Sequence, residues 1–252
     1  MYQTKSSCEL KQTAKGQLLG NYGKMISALL VASLIPNVIL YIADDLLPAT
    51  STVNQLLYYA VDFLVALLMG IFTLGQIKLY MNFATGRTFR LSDLFYGFHG
   101  HQDIGILIMM VYTGISLLCM IPFGIAMVLY MILKTPFLYP VLALTLIIGL
   151  ILAYMQLLSL SQSFYIAVDF PDYGLKQVLS MSRKVMKGQR ARLFYLQVSF
   201  LPLVLLCLLS MGLGLLWLIP YMNATQTHFY LDLMDYRAAQ YSQPANHQTE
   251  QN

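Results

Sequence analysis

Charge is scarce in this 252-residue chain: Asp, Glu, Lys and Arg make up only 10% of it, against about 25% in a soluble domain. So little charge excludes a disordered chain and a nucleic-acid-binding domain. Cysteine is scarce too. Cys8, Cys119 and Cys207 are odd in number and form no Cys-x-x-Cys, which excludes a secreted disulfide scaffold. Two of them sit inside apolar runs, where free cysteine behaves as a small hydrophobe. No phosphate-binding Gly-rich loop, nucleophile elbow or paired zinc-ligand helix occurs. The nearest approach to a metal cluster, His99-Gly100-His101-Gln102-Asp103, reads as a solvated loop. The expectation is therefore a protein that is not an enzyme, with no catalytic, cofactor or metal residues.

Apolar residue is what the chain has in abundance, 58% of the total, with a mean hydropathy of +0.64. It comes in runs of about 20, the length that crosses a bilayer. Six spans are expected, over 25–43, 56–81, 104–133, 137–168, 193–211 and 213–234. The third and fourth are long for one crossing. Pro122 offers a break in the third, and Lys134-Thr135-Pro136 separates it from the fourth. The fold class is thus all-α, a polytopic membrane bundle.

Orientation follows from Lys and Arg, which gather on cytoplasmic loops. Fourteen of the 15 lie on one flank of the six-span arrangement. The other flank keeps Lys134, with Asp44 and Asp45. Six spans then place both termini in the cytoplasm. The first run reads as a retained anchor, since its basic lead is long and no small-x-small cleavage pattern follows. The expected organisation is a cytoplasmic segment 1–24, a membrane domain 25–236 and a disordered cytoplasmic tail 237–252.

Between spans four and five the chain turns amphipathic, over about 172–188. Leu175, Val178, Leu179, Ser182, Val185 and Met186 recur at helical spacing, with the basic residues largely opposite. Asp169 or Asp172 suits the start and Gly188 the stop. Such a helix is expected at the inner headgroup layer, where Lys176, Arg183, Lys184, Lys187 and Arg190 meet anionic lipid. Fixing topology alone is the alternative role for these charges. A shorter version, Leu10, Ala14 and Leu18, precedes span one.

Amides and charges also cluster in the inner halves of the spans. Gln156, Gln162, Gln197, Asn223, Thr225, His228 and Asp232 are candidates for a polar cavity open to the cytoplasm, walled by spans two, four, five and six. Hydrogen bonding between helices explains the same residues without a cavity. Pro36, Pro122 and Pro220 offer breaks in three spans.

Several segments together resemble one known family. They are Leu18-Leu19-Gly20-Asn21-Tyr22, Ser92-Asp93-Leu94-Phe95-Tyr96-Gly97-Phe98, Phe164 to Pro171, Ser182 to Gly188, and Leu216 to Tyr221 with Phe229-Tyr230. The chain resembles the bacterial integral-membrane family designated domain of unknown function 975, over nearly its whole length. The family passes from an Ile-Pro-Gly turn to an Asp-x-Pro segment in about one span; here Phe123 interrupts the turn and residues 123–168 intervene. The resemblance implies location and architecture, and no activity.

Two functions fit these features. One is a protein of envelope maintenance or assembly whose partners are the bilayer, its anionic headgroups or another membrane protein. The alternative is a small transporter or exporter built around the polar cavity.

Overall fold

The computed structural model describes residues 4–48, 51–100 and 102–241. Among them every regular element is helical. In chain order these are α1 (Ser7–Leu18), α2 (Tyr22–Leu46), α3 (Thr52–Ala84), a 3-10 helix (Leu91–Phe98), α4 (Gln102–Leu133), α5 (Leu138–Leu160), α6 (Ser163–Asp169), α7 (Leu175–Met186), α8 (Arg190–Val198), α9 (Leu201–Leu209) and α10 (Leu215–Tyr241). Five stretches are long and apolar enough to cross a membrane: α2, α3, α4 from Asp103, α5 continued by α6, and α8 continued by α9. The expected sixth span, 213–234, falls on α10, which is too polar to join them.

Burial is concentrated at the end of the bundle that carries most of the Lys and Arg. There the C-terminal half of α3 buries Leu74, Leu79, Tyr80 and Phe83, α6 is buried from Ser163 to Val168, and α10 buries Phe229, Tyr230 and Leu233. The opposite end exposes Ile42, Leu46, Leu57, Met131, Ile132, Phe137 and Leu209, the surface that hydrocarbon accepts without cost.

α1 begins with a reciprocal cap, Ser6 Oγ accepting from Glu9 N and Glu9 Oε2 from Ser6 N. The Ser6 contacts hold the Glu9 carboxyl below its usual range. Leu10, Ala14 and Leu18 are buried, and α1 packs on α10. Val178, Ser182, Val185 and Met186 of α7 are buried likewise, and that helix packs on α5 and α6. The helical spacing of both stripes is as expected, but protein rather than headgroup covers them.

Several boundaries differ from the sequence expectation. α7 starts after Gly174, whose N–H donates to Gln177 Oε1, while Asp169 ends α6 and accepts from the Tyr230 hydroxyl at 2.8 Å. Gly188, at φ 80°, follows the stop. α10 continues through 237–241, because Arg237 donates to Val185 O and Lys187 O at the end of α7; the tail beyond, 242–252, lies outside the described residues, as does His101. Helices α2, α4 and α10 pass unbroken through Pro36, Pro122 and Pro220, since spanning helices tolerate proline when neighbours re-satisfy the backbone. The breaks fall elsewhere, at Ser161-Gln162 and Ser199-Phe200.

Close approach fixes the packing of α3. A Cβ at Gly75 would stand 1.9 Å from the Leu94 carbonyl oxygen, so the 3-10 helix rests on bare α3 backbone there. Gly70 and Gly105 make the same kind of approach between α3 and α4, as small residues do where membrane helices cross. Replacing Gly75 with Ala forces the two backbones apart and costs about 1–3 kcal/mol, the range for overpacking. Gly16, with nothing within 4 Å of an added Cβ, is the control: Gly16→Ala is neutral or gains up to about 1 kcal/mol of helix propensity. Thermal unfolding of both variants in detergent checks the contrast.

Candidate functional site

The break between α5 and α6 shapes the interior. No proline or glycine marks it; serines do. Ser159, Ser161 and Ser163 donate their hydroxyls to the carbonyls of Met155, Leu158 and Leu160. Tyr112 of α4 also donates to Leu160 O, and Ser182 of α7 to Ser159 O at 3.2 Å. Backbone acceptors at the break are thus supplied from α4, α5, α6 and α7, as a dry interior requires. The bend brings Ser161, Phe164 and Tyr165 to one wall of a cavity of ≈ 430 Å³.

The other walls follow helical spacing. α3 contributes Thr73, Gln76, Ile77 and Tyr80 at steps of 3, 1 and 3, one face of a helix. α4 adds Met109 and Tyr112, α5 adds Tyr154, Leu157 and Leu158, α8 adds Gln197, and α10 adds Asn223 and Gln226. Tyr154 donates its hydroxyl to Gln197 Oε1 at 2.5 Å. Tyr165 stacks on Tyr230, with ring centroids 5.0 Å apart. The lining has four amides and four phenols, and no Asp, Glu, Lys, Arg or His. Such a set offers donors and acceptors to an uncharged ligand, and no counter-charge to an ion.

The seven residues expected around a cavity divide. Gln197 and Asn223 line it. Gln156 is exposed on α5. Gln162 is fully buried at the break; its Nε2 donates to Ser161 Oγ and its Oε1 has no partner. Thr225 donates to Tyr221 O within its own helix. His228 shares a hydrogen bond of 2.9 Å with Gln17 Oε1 of α1. Asp232, 2% exposed, pairs with Arg192 of α8 and accepts from Lys5 N, while the Arg192 guanidinium lies 5.0 Å from the Phe229 ring centroid. His228 and Asp232 join helices, Thr225 bonds within α10, and none of the three lines this cavity. The cavity's tyrosines escape a search for amides and charges. The i, i+3, i+7 recurrence of Thr73, Gln76 and Tyr80 is the signal that would have found one wall.

The five basic candidates divide as well. Lys176, Arg183, Lys184 and Lys187 line a shallow depression on α7 with Leu179 and Ser180. Arg190 borders a separate groove of ≈ 660 Å³ between α5 and α8, with Leu150, Ile151, Met155 and Phe194. His99 is engaged through Nδ1 with Phe95 O, and no group of three potential metal-binding side chains comes together among the described residues.

The family model described as "Protein of unknown function (DUF975)" matches residues 1–237. No curated protein and no solved structure matches the chain.

The Arg192–Asp232 pair carries a prediction of its own. Removing one partner of a buried pair strands the other charge, at about 3–5 kcal/mol. Arg192→Ala therefore lowers the unfolding temperature in detergent sharply. Arg192→Met combined with Asp232→Leu loses much less than the sum of the single changes; strict additivity would show that the two residues are not coupled.

Proposed function

The chain belongs to the DUF975 family of proteins of unknown function, and we propose that it is a non-enzymatic, six-span protein of the bacterial cytoplasmic membrane that binds anionic phospholipid at the cytoplasmic face. The observation that carries this reading is an unneutralised basic surface. Lys176, Arg183, Lys184, Lys187 and Arg190 are exposed, and none has a carboxylate at ion-pair distance among the described residues. The apolar stripe of α7 is spent on protein contacts, so the attraction is electrostatic, with the guanidinium and ammonium groups reaching phosphate rather than the helix sinking into the layer. Each Lys or Arg near an anionic leaflet contributes about 1 kcal/mol. The lipid serves envelope maintenance or assembly in this reading, with another membrane protein as the further partner.

α10 is the sixth span. Its 27 residues reach about 40 Å, more than the hydrocarbon core of about 30 Å. Its polar groups are tolerated at membrane depth because protein surrounds them, not lipid. An even count, with the basic residues on one flank, supports cytoplasmic termini. A carrier of small uncharged solutes is the second reading, favoured by the neutral cavity with Gln197 and Asn223 in its walls.

Two measurements test the proposal. Alanine at Lys176, Arg183, Lys184 and Lys187 reduces the anionic phospholipid that copurifies with the protein, each replacement removing about 1 kcal/mol of attraction, and leaves zwitterionic lipid unchanged. Equal retention of anionic lipid defeats the reading. For topology, Asp44→Cys in a Cys8→Ser background reacts with an impermeant thiol reagent on intact cells. The native Cys8, exposed on α1, reacts only after permeabilisation. Labelling of both from one compartment overturns the six-span arrangement.

A further inference from the structure

The groove between α5 and α8 and the cavity behind it share a wall. Tyr154 and Leu158 line both. The Tyr154 ring stands edge-on to Phe194 in the groove, centroids 6.1 Å apart, while its hydroxyl reaches Gln197 on the cavity side. One hydrogen bond and one ring contact hold this side chain in the wall that the two spaces share.

Their linings differ in a way that selects a ligand. The groove is walled almost wholly by carbon, and Arg190 contributes its aliphatic stem with the charged head outside. The cavity sets four amides and four phenols among apolar side chains such as Ile77, Met109 and Phe164, and carries no charge. An ion entering the cavity loses its hydration and gains no counter-charge. A pure hydrocarbon there leaves the amides unpaired. The combination suits a molecule with an uncharged, hydrogen-bonding head and an alkyl chain.

We propose that groove and cavity form one binding site for an uncharged single-chain amphiphile of the monoacylglycerol class, its chain along α5 and α8, its head among Gln197, Asn223 and Gln226, and Tyr154 as the gate between them. The site goes beyond the anionic-lipid reading and uses none of the basic residues of α7, so either can fail alone.

The test uses the full chain in phosphatidylcholine nanodiscs, with radiolabelled monoolein as the probe. Monoolein binds saturably. Methyl oleate, which keeps the chain and loses the hydroxyls, competes about tenfold less well, the effect of one or two hydrogen bonds. Oleate, anionic at neutral pH, also competes poorly. Asn223→Leu with Gln226→Leu weakens monoolein binding about tenfold. Tyr154→Phe, which removes the gate's hydrogen bond and keeps the ring, speeds both association and dissociation. Alanine at Lys176, Arg183, Lys184 and Lys187 leaves monoolein affinity unchanged. A monoacylglycerol with a diazirine at its chain end labels Leu150, Ile151, Met155 or Phe194. Equal competition by methyl oleate or oleate on the unaltered protein, absence of saturable binding, or labelling confined to other helices overturns the proposal.

Discussion

A hydrocarbon interior offers a polar side chain no partner, and α10 carries Asn223, Gln226, His228 and Asp232 along a length sufficient to cross it. The rest of the bundle is arranged to supply what lipid would not. α1 brings Gln17 to His228, α8 brings Arg192 to Asp232, and α6 brings Asp169 to Tyr230. Without this enclosure the polar groups of α10 would have no partner in hydrocarbon. The concentration of buried residues at the basic end is the packing consequence, because that is where the polar half of α10 has to be covered.

Enclosure requires helices to come close, and small residues permit it. Gly75 accepts the Leu94 carbonyl against its backbone, and Gly97 does the same for Ile71. The segment Leu91–Phe98 is held to α3 in this way, with Phe72 edge-on to Phe95 and Phe98. At the opposite end Gly214 still packs against Cys207, but much of the surface is exposed and apolar. The α4–α5 hairpin turns at Lys134, whose φ of 48° puts it in the left-handed region, and its flanks remain exposed apolar surface. The molecule is thus tight where polar groups have to be paired and open where lipid can finish the packing.

Spans and turns were legible in the sequence because each rests on a local property. Apolar length marks α2 to α5, the stripe Leu10, Ala14 and Leu18 marks α1, and Leu175 to Met186 marks α7. What covers each stripe was not legible, since the same periodicity serves headgroup or protein; α1 and α7 both chose protein. Helix breaks misled for a related reason. Proline was the obvious marker, yet Pro36, Pro122 and Pro220 are carried through, and the break falls in Leu158-Ser159-Leu160-Ser161-Gln162-Ser163, where serine hydroxyls replace lost backbone bonds. The cavity was half legible. Gln197 and Asn223 could be named from their polarity, whereas Tyr80, Tyr112, Tyr154 and Tyr165 pass as apolar until their hydroxyls are seen to converge.

The polar residues of α10 also show why a cavity and interhelical adhesion need not be rival explanations. Successive residues of a helix turn by about 100°, so Asn223 and Thr225 point about 200° apart. Thr225, His228 and Asp232 follow one stripe, on which His228 bonds to α1, Asp232 pairs with α8 and Thr225 bonds back to Tyr221 O. Asn223 and Gln226 follow another, toward α3 and the α5–α6 bend, where the space between helices is left unfilled. Had both stripes been adhesive, the amides would have been paired across a closed interface. Keeping charge on the paired side and neutral amides on the open side is the arrangement that lets one helix hold the bundle together while presenting an uncharged face to whatever enters it.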